Sequence, residues 1–109
     1  MNHAIKIVLV GTQHPGNIGS AARAMKTMGL SRLALVAPEK FPHIEAHALA
    51  AGADDVLEAA EVHADLASAV AGCRFVMGTT ARKRTVAMTE HEPRAAARLL
   101  LDAQALGDV

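Results

Sequence analysis

Apolar and polar positions alternate in two rhythms along this chain. Ile5 to Val10 is an apolar run of β-branched character, and Leu33 to Val36 and Phe75 to Met77 repeat the type. Such short runs suit strands buried on both faces. Between them the apolar positions recur at helical spacing over Asn17 to Met28, roughly His43 to Ala51, roughly Ala64 to Ala71, and Glu92 to Ala105. A further short strand falls near Val56 or Val62. Gly29, Gly52 and Gly72 stand where helices should stop, and Pro38, Pro42 and Pro93 stand at element edges. Strands alternating with helices predict an α/β fold, a parallel sheet with helices on both faces and right-handed crossovers. No repeat, low-complexity tract or linker divides the chain, so residues 1–109 are expected to form a single domain.

Composition refines this picture. Hydrophobic residues make up 51% of the 109. Alanine supplies much of that share, and Phe41 and Phe75 are the only aromatics, so close helix-on-sheet packing is expected in place of a bulky core. Eleven Lys and Arg balance eleven Asp and Glu, and net charge alone makes no case for nucleic acid. Their distribution is uneven: Glu45, Asp54, Asp55, Glu58, Glu61 and Asp65 lie between Phe41 and Cys73 with no Lys or Arg among them. That partition fits either an acidic and a basic side or ordinary solvated surface.

Cys73 is the single cysteine, which excludes an internal disulfide and a cysteine zinc site within one chain and makes a reducing cytoplasm the natural setting. The N-terminal apolar run is too short to span a membrane and reads as a strand. The six histidines show no HExxH spacing; His43 and His47 stand four apart, and no metal is expected.

The helix over Asn17 to Met28 has two sides. Ile18, Ala21, Ala22, Met25 and Met28 fall on one, and Asn17, Ser20, Arg23 and Thr27 on the other. The apolar side should meet the sheet. Asn17 is expected to be the N-cap, accepting from a backbone N–H near Ser20. Gly16 and Gly19 leave room for a backbone or a ligand at the first turn, where free N–H groups favour an anion such as phosphate. Arg23 could grip that phosphate with two parallel hydrogen bonds, although a solvated arginine fits the pattern equally. The glycine spacing is not that of the dinucleotide fingerprint, and no Walker A sequence is present.

A second loop, G-T-T-A-R-K-R from Gly78 to Arg84, follows the run Phe75 to Met77. Ligands of open α/β sheets sit beyond the carboxyl ends of the strands, so this loop and the one before Asn17 should share a rim. Thr79 and Thr80 offer hydroxyls, and Arg82, Lys83 and Arg84 suit a nucleic-acid backbone or plain surface.

H-P-G-N-I-G-S-A-A-R-A-M-K-T-M-G, L-A-L-V-A-P, A-L-A-A-G-A-D-D-V and G-T-T-A-R-K-R together resemble the N-terminal part of the SpoU-type RNA 2′-O-methyltransferases of the SPOUT superfamily. The similarity is to the bacterial branch that methylates cytidine or uridine ribose in tRNA, at the first nucleotide of the anticodon loop. It covers nearly the whole chain. The resemblance implies an α/β-knot fold, S-adenosylmethionine as donor, tRNA as partner and a homodimer sharing its site between subunits. It makes Asn17, Ser20 and Arg23 the catalytic motif and Thr79, Thr80 and Ala81 the start of the donor site. RNA contacts are expected from Arg23, Lys26, Arg82, Lys83 and Arg84.

In that family the arginine is often described as activating the ribose hydroxyl. A guanidinium stays charged throughout the usable pH range, so a phosphate clamp and an oxyanion stabiliser is the better physical role. The family's following segments carry a Gly-x-Glu loop and a Ser-Leu-Asn segment that build the knot, most of the donor pocket and much of the dimer interface. This chain stops at Val109 before either. The expectation is therefore the N-terminal portion of a SPOUT domain, lacking the strand after its last helix, open at one sheet edge and inactive alone. Two other classes stay in view: a non-catalytic RNA-binding α/β module, against which the scarcity of aromatics counts, and a small α/β phosphoacceptor or nucleotide-binding domain, against which the lack of an acidic cluster at the end of the first strand counts.

Overall fold

In the computed structural model, residues 4–79, 93–103 and 107–109 are described. The element order is β1 (Lys6–Val10), α1 (Pro15–Thr27), β2 (Arg32–Val36), α2 (Ile44–Ala50), α3 (Asp54–Glu58), β3 (Glu61–His63), α4 (Leu66–Val70) and α5 (Pro93–Ala103). Among the described residues three strands form a parallel sheet in the order β1-β2-β3. Lys6 is opposite Arg32, Val10 opposite Val36, and Ala34 opposite Glu61.

Central β2 shows why the alternation predicts two covered faces. Leu33 and Leu35 point into a cluster with Ile18, Ala22 and Met25 of α1, Ala46 and Ala50 of α2, and Val56 and Leu57 of α3. Ala34 and Val36 point the other way, onto Ala69 of α4 with Val8 of β1 beside them. Each fully buried leucine contributes on the order of 1.5–3 kcal/mol of transfer free energy. Alanines at the helix contacts let backbones approach, as the composition implies.

The other expected strands depart from full burial. β1 is half-buried, and Lys6 interrupts its apolar run. The Lys6 side chain lies over the α4 face and donates from Nζ to the Ala69 carbonyl at 3.1 Å, with Glu61 Oε1 at 3.5 Å. Its aliphatic stem is buried while its charge meets a helix C-terminal carbonyl. β3 takes up the strand expected near Val62; Val56 lies instead in α3, an element too short to show a period. Its first turn carries Asp54 and Asp55, favourable to the helix dipole, and it buries Val56 and Leu57.

Phe75 to Met77 is not a strand. The Arg74 N–H donates to the Asp108 carbonyl at 2.7 Å, and among the described residues no ladder continues from there. The place beside β1 is taken by Val109, which accepts from the Lys6 N–H and donates to the Ala4 carbonyl, both at 2.7 Å. Val109 thus pairs with the backbone on either side of Ile5. Asp108 also holds Arg32 through Nη1 to Oδ2 at 2.8 Å.

Candidate functional site

The carboxyl ends of the strands form a rim that the backbone knits together. The Gly11 N–H donates to the Val36 carbonyl and the Ala37 N–H to the His63 carbonyl, each at 2.8 Å, and the Glu39 N–H reaches the Thr12 carbonyl at 3.1 Å. The turn into α1 is therefore held by the turn after β2. α1 starts at this rim and runs back along the sheet.

Asn17 is not the N-cap. The helix begins two residues earlier, at Pro15, whose fixed φ and missing N–H suit a first helical position. His14 occupies the cap without a side-chain hydrogen bond, and the Asn17 N–H donates to the His14 carbonyl at 3.0 Å. Asn17 sits in the first turn with its side chain exposed.

The two glycines are not open to a ligand either. Both are buried, because α2 lies on them. A Cβ at Gly19 would fall on the Ala46 carbonyl oxygen, and a Cβ at Gly16 would lie 2.7 Å from Leu49 Cδ1. The close approach expected at this turn is made by a backbone. Ala46 and Leu49, which hold α1 from this side, were not among the expected site residues; the signal for them was the glycine pair three apart facing an alanine-rich helix.

Asn17, Ser20 and Arg23 remain exposed along α1, while Ile18, Ala22 and Met25 are buried as expected. Met28 is not: it caps the helix C-terminus and is 62% exposed. Asn17 and Arg23 are separated by about 9 Å along the axis. Helical side chains lean toward the N-terminus, so Arg23 covers the turn that carries Ser20. Among the described residues its guanidinium has no hydrogen-bond or ion-pair partner, while its carbonyl accepts from Thr27 Oγ1 at 3.0 Å. Lys26 differs: its Nζ donates to Asp55 Oδ1 at 2.9 Å, and this hydrogen bond holds the Asp55 carboxyl below its ordinary pKa.

Of the second motif, Thr79 is exposed in an irregular segment, and its hydroxyl is of the kind a polar donor group could use. Thr80, Ala81, Arg82, Lys83 and Arg84 lie outside the described residues. His43 and His47 do not form a pair. His43 Nδ1 accepts from the Glu45 N–H at 3.1 Å, and His47 Nδ1 lies 2.8 Å from Asp54 Oδ1.

Residues 4–101 match the SpoU rRNA Methylase family. The chain belongs to that family. A curated relative, the tRNA (cytidine/uridine/adenosine-2′-O-)-methyltransferase TrmJ of Pseudomonas aeruginosa (strain UCBPP-PA14), is 54% identical over 98 residues, which are 90% of this chain and 38% of the relative. Among solved structures, a probable methylase family protein from Haemophilus influenzae Rd KW20 superimposes with a TM-score of 0.89 at 44% identity, over 99% of this chain and 44% of that one. TrmJ from Z. mobilis ZM4 gives 0.85 at 44% identity, over 94% and 45%. The chain thus spans under two-fifths of the length of the curated relative. The three parallel strands with helices on both faces are the SpoU fold over that part. Among the described residues no helix is long and apolar enough to cross a membrane.

Proposed function

We propose that this chain forms the RNA-facing part of a tRNA ribose 2′-O-methyltransferase acting at the first nucleotide of the anticodon loop, with the complete protein working as a homodimer. The observation that carries the reading is the exposed line Asn17, Ser20, Arg23 on a helix fixed at the sheet's carboxyl rim, in a SpoU domain. Membership points to a methyl donor, and S-adenosylmethionine when bound supplies an electrophilic methyl group.

This chain's own residues supply orientation and charge. Arg23 clamps the phosphate next to the target ribose through two parallel hydrogen bonds, and its positive charge stabilises the 2′-oxygen as negative charge develops there. The 2′-hydroxyl proton leaves to that phosphate or to water, since a guanidinium cannot accept it. Asn17 and Ser20 offer an amide and a hydroxyl to the ribose on the same side. Thr79, Thr80 and Ala81 are assigned to the donor, and Arg82, Lys83 and Arg84, with Lys26 once released from Asp55, to the RNA backbone.

The test is 2′-O-methylation of tRNA transcripts by the complete gene product carrying this sequence. Wild type should be active, Arg23→Lys should retain part of the rate, and Arg23→Ala should lose about 10²–10³-fold in kcat. tRNA binding without any methylation by the wild type would favour a non-catalytic RNA-binding module instead.

A further inference from the structure

α2 carries none of the residues assigned to the proposed chemistry, yet its backbone sits directly on the motif helix. The Ala46 carbonyl rests against Gly19, four residues before Arg23 and therefore one turn away on the same side of α1. On the neighbouring face, about a quarter turn around the helix, Ile18, Ala22 and Met25 pack α1 onto Leu33 and Leu35. The helix is seated by the sheet and by a peptide group beside it, and only a residue without a side chain permits the second contact.

We propose that Gly19 is a positioning residue for methyl transfer: its missing side chain seats α1 against the Ala46 carbonyl and so sets where Arg23 presents its guanidinium. The inference rests on the methyltransferase reading above. An added methyl at Gly19 meets backbone, so it cannot be absorbed by a rotamer change, and the two helices must move apart. Ala46 and Ala50 are themselves fully buried in the shared core. α2 therefore cannot lift away without opening that core, and part of the displacement falls on α1. A misplacement of about 1 Å in a catalytic group is enough to cost on the order of 10²-fold in rate.

Gly16 provides a graded version of the same contact. Its added methyl would meet the tip of Leu49, a side chain that is half exposed and removable.

The experiment uses the complete gene product, assayed for tRNA methylation at saturating donor well below each variant's melting temperature. Gly19→Ala should lower kcat about 10²-fold while KM for tRNA stays within about threefold. Val56→Ala opens a cavity in the same core without pushing on α1; it should lower the melting temperature and leave kcat near wild type. Gly16→Ala should give a smaller loss in kcat that Leu49→Ala restores in the double variant, which keeps the test open if Gly19→Ala does not fold. Wild-type kcat in Gly19→Ala, parallel kcat losses in Gly19→Ala and Val56→Ala, or a Gly16→Ala effect absent or unrelieved by Leu49→Ala would each overturn the assignment. An inactive wild type would instead remove the methyltransferase reading and this inference with it.

Discussion

Lys26 Nζ stands 2.9 Å from Asp55 Oδ1 and joins the last turn of α1 to the first turn of α3. Lys26, proposed above to contact RNA, is thus engaged by one of the six carboxylates of the acidic segment. The pairing has a measurable signature. Asp55 should titrate below the ordinary aspartate range, and Lys26→Met should return it upward, as followed by carboxyl-carbon NMR. A depressed carboxylate pKa stabilises the fold above the unfolded-state value, and that contribution disappears as pH falls through the folded value. Both side chains are largely exposed, so added salt should shrink the difference between wild type and Lys26→Met. An Asp55 midpoint indifferent to Lys26→Met would show that the pair does not persist in solution.

Glu61 carries a second acid-side dependence. Its Oε1 accepts from His63 Nε2 at 2.8 Å, and with Lys6 Nζ at 3.5 Å this depresses its pKa, the His63 hydrogen bond being the largest cause. Stability from this group is complete above the ordinary glutamate pKa and is lost as pH drops through the depressed one. Because Glu61 is partly exposed, the amount is on the order of a few tenths of a kcal/mol. Urea midpoints measured from pH 6 to pH 3 should therefore fall slightly less steeply for Glu61→Gln than for wild type. Superimposable slopes would contradict the assignment.

The departure of Met28 from the apolar face makes a sharp contrast with β2. Leu35 is fully buried between the sheet and α1–α3, and Leu35→Ala should cost about 2–5 kcal/mol through lost transfer energy and the cavity left behind. Met28→Ala, at an exposed helix end, should change stability by less than about 0.5 kcal/mol. Equilibrium urea denaturation of this chain distinguishes the two, and comparable losses would mean that Met28 packs in solution.

Much of this molecule could be read before folding was considered. The apolar runs at Ile5 to Val10 and Leu33 to Val36, the helical spacing of Ile18, Ala22 and Met25, and the motif carrying Asn17, Ser20 and Arg23 are local facts, because side-chain period and residue chemistry are set by the order of residues alone. They suffice for a parallel α/β fold and for the exposed line on α1. What tertiary structure decided concerns groups distant in sequence. Gly16 and Gly19 could equally have faced a ligand, and only the seating of α2 puts the Ala46 backbone there. Lys26 could have been free, and only the approach of α3 supplies Asp55. Phe75 to Met77 has the composition of a strand, but a strand exists only where a neighbour completes its ladder, and the place beside Ile5 goes to Val109. Residue order determines what each position can do; which partner arrives, and hence which capacity is spent on packing and which is left exposed, is settled only when the chain closes on itself.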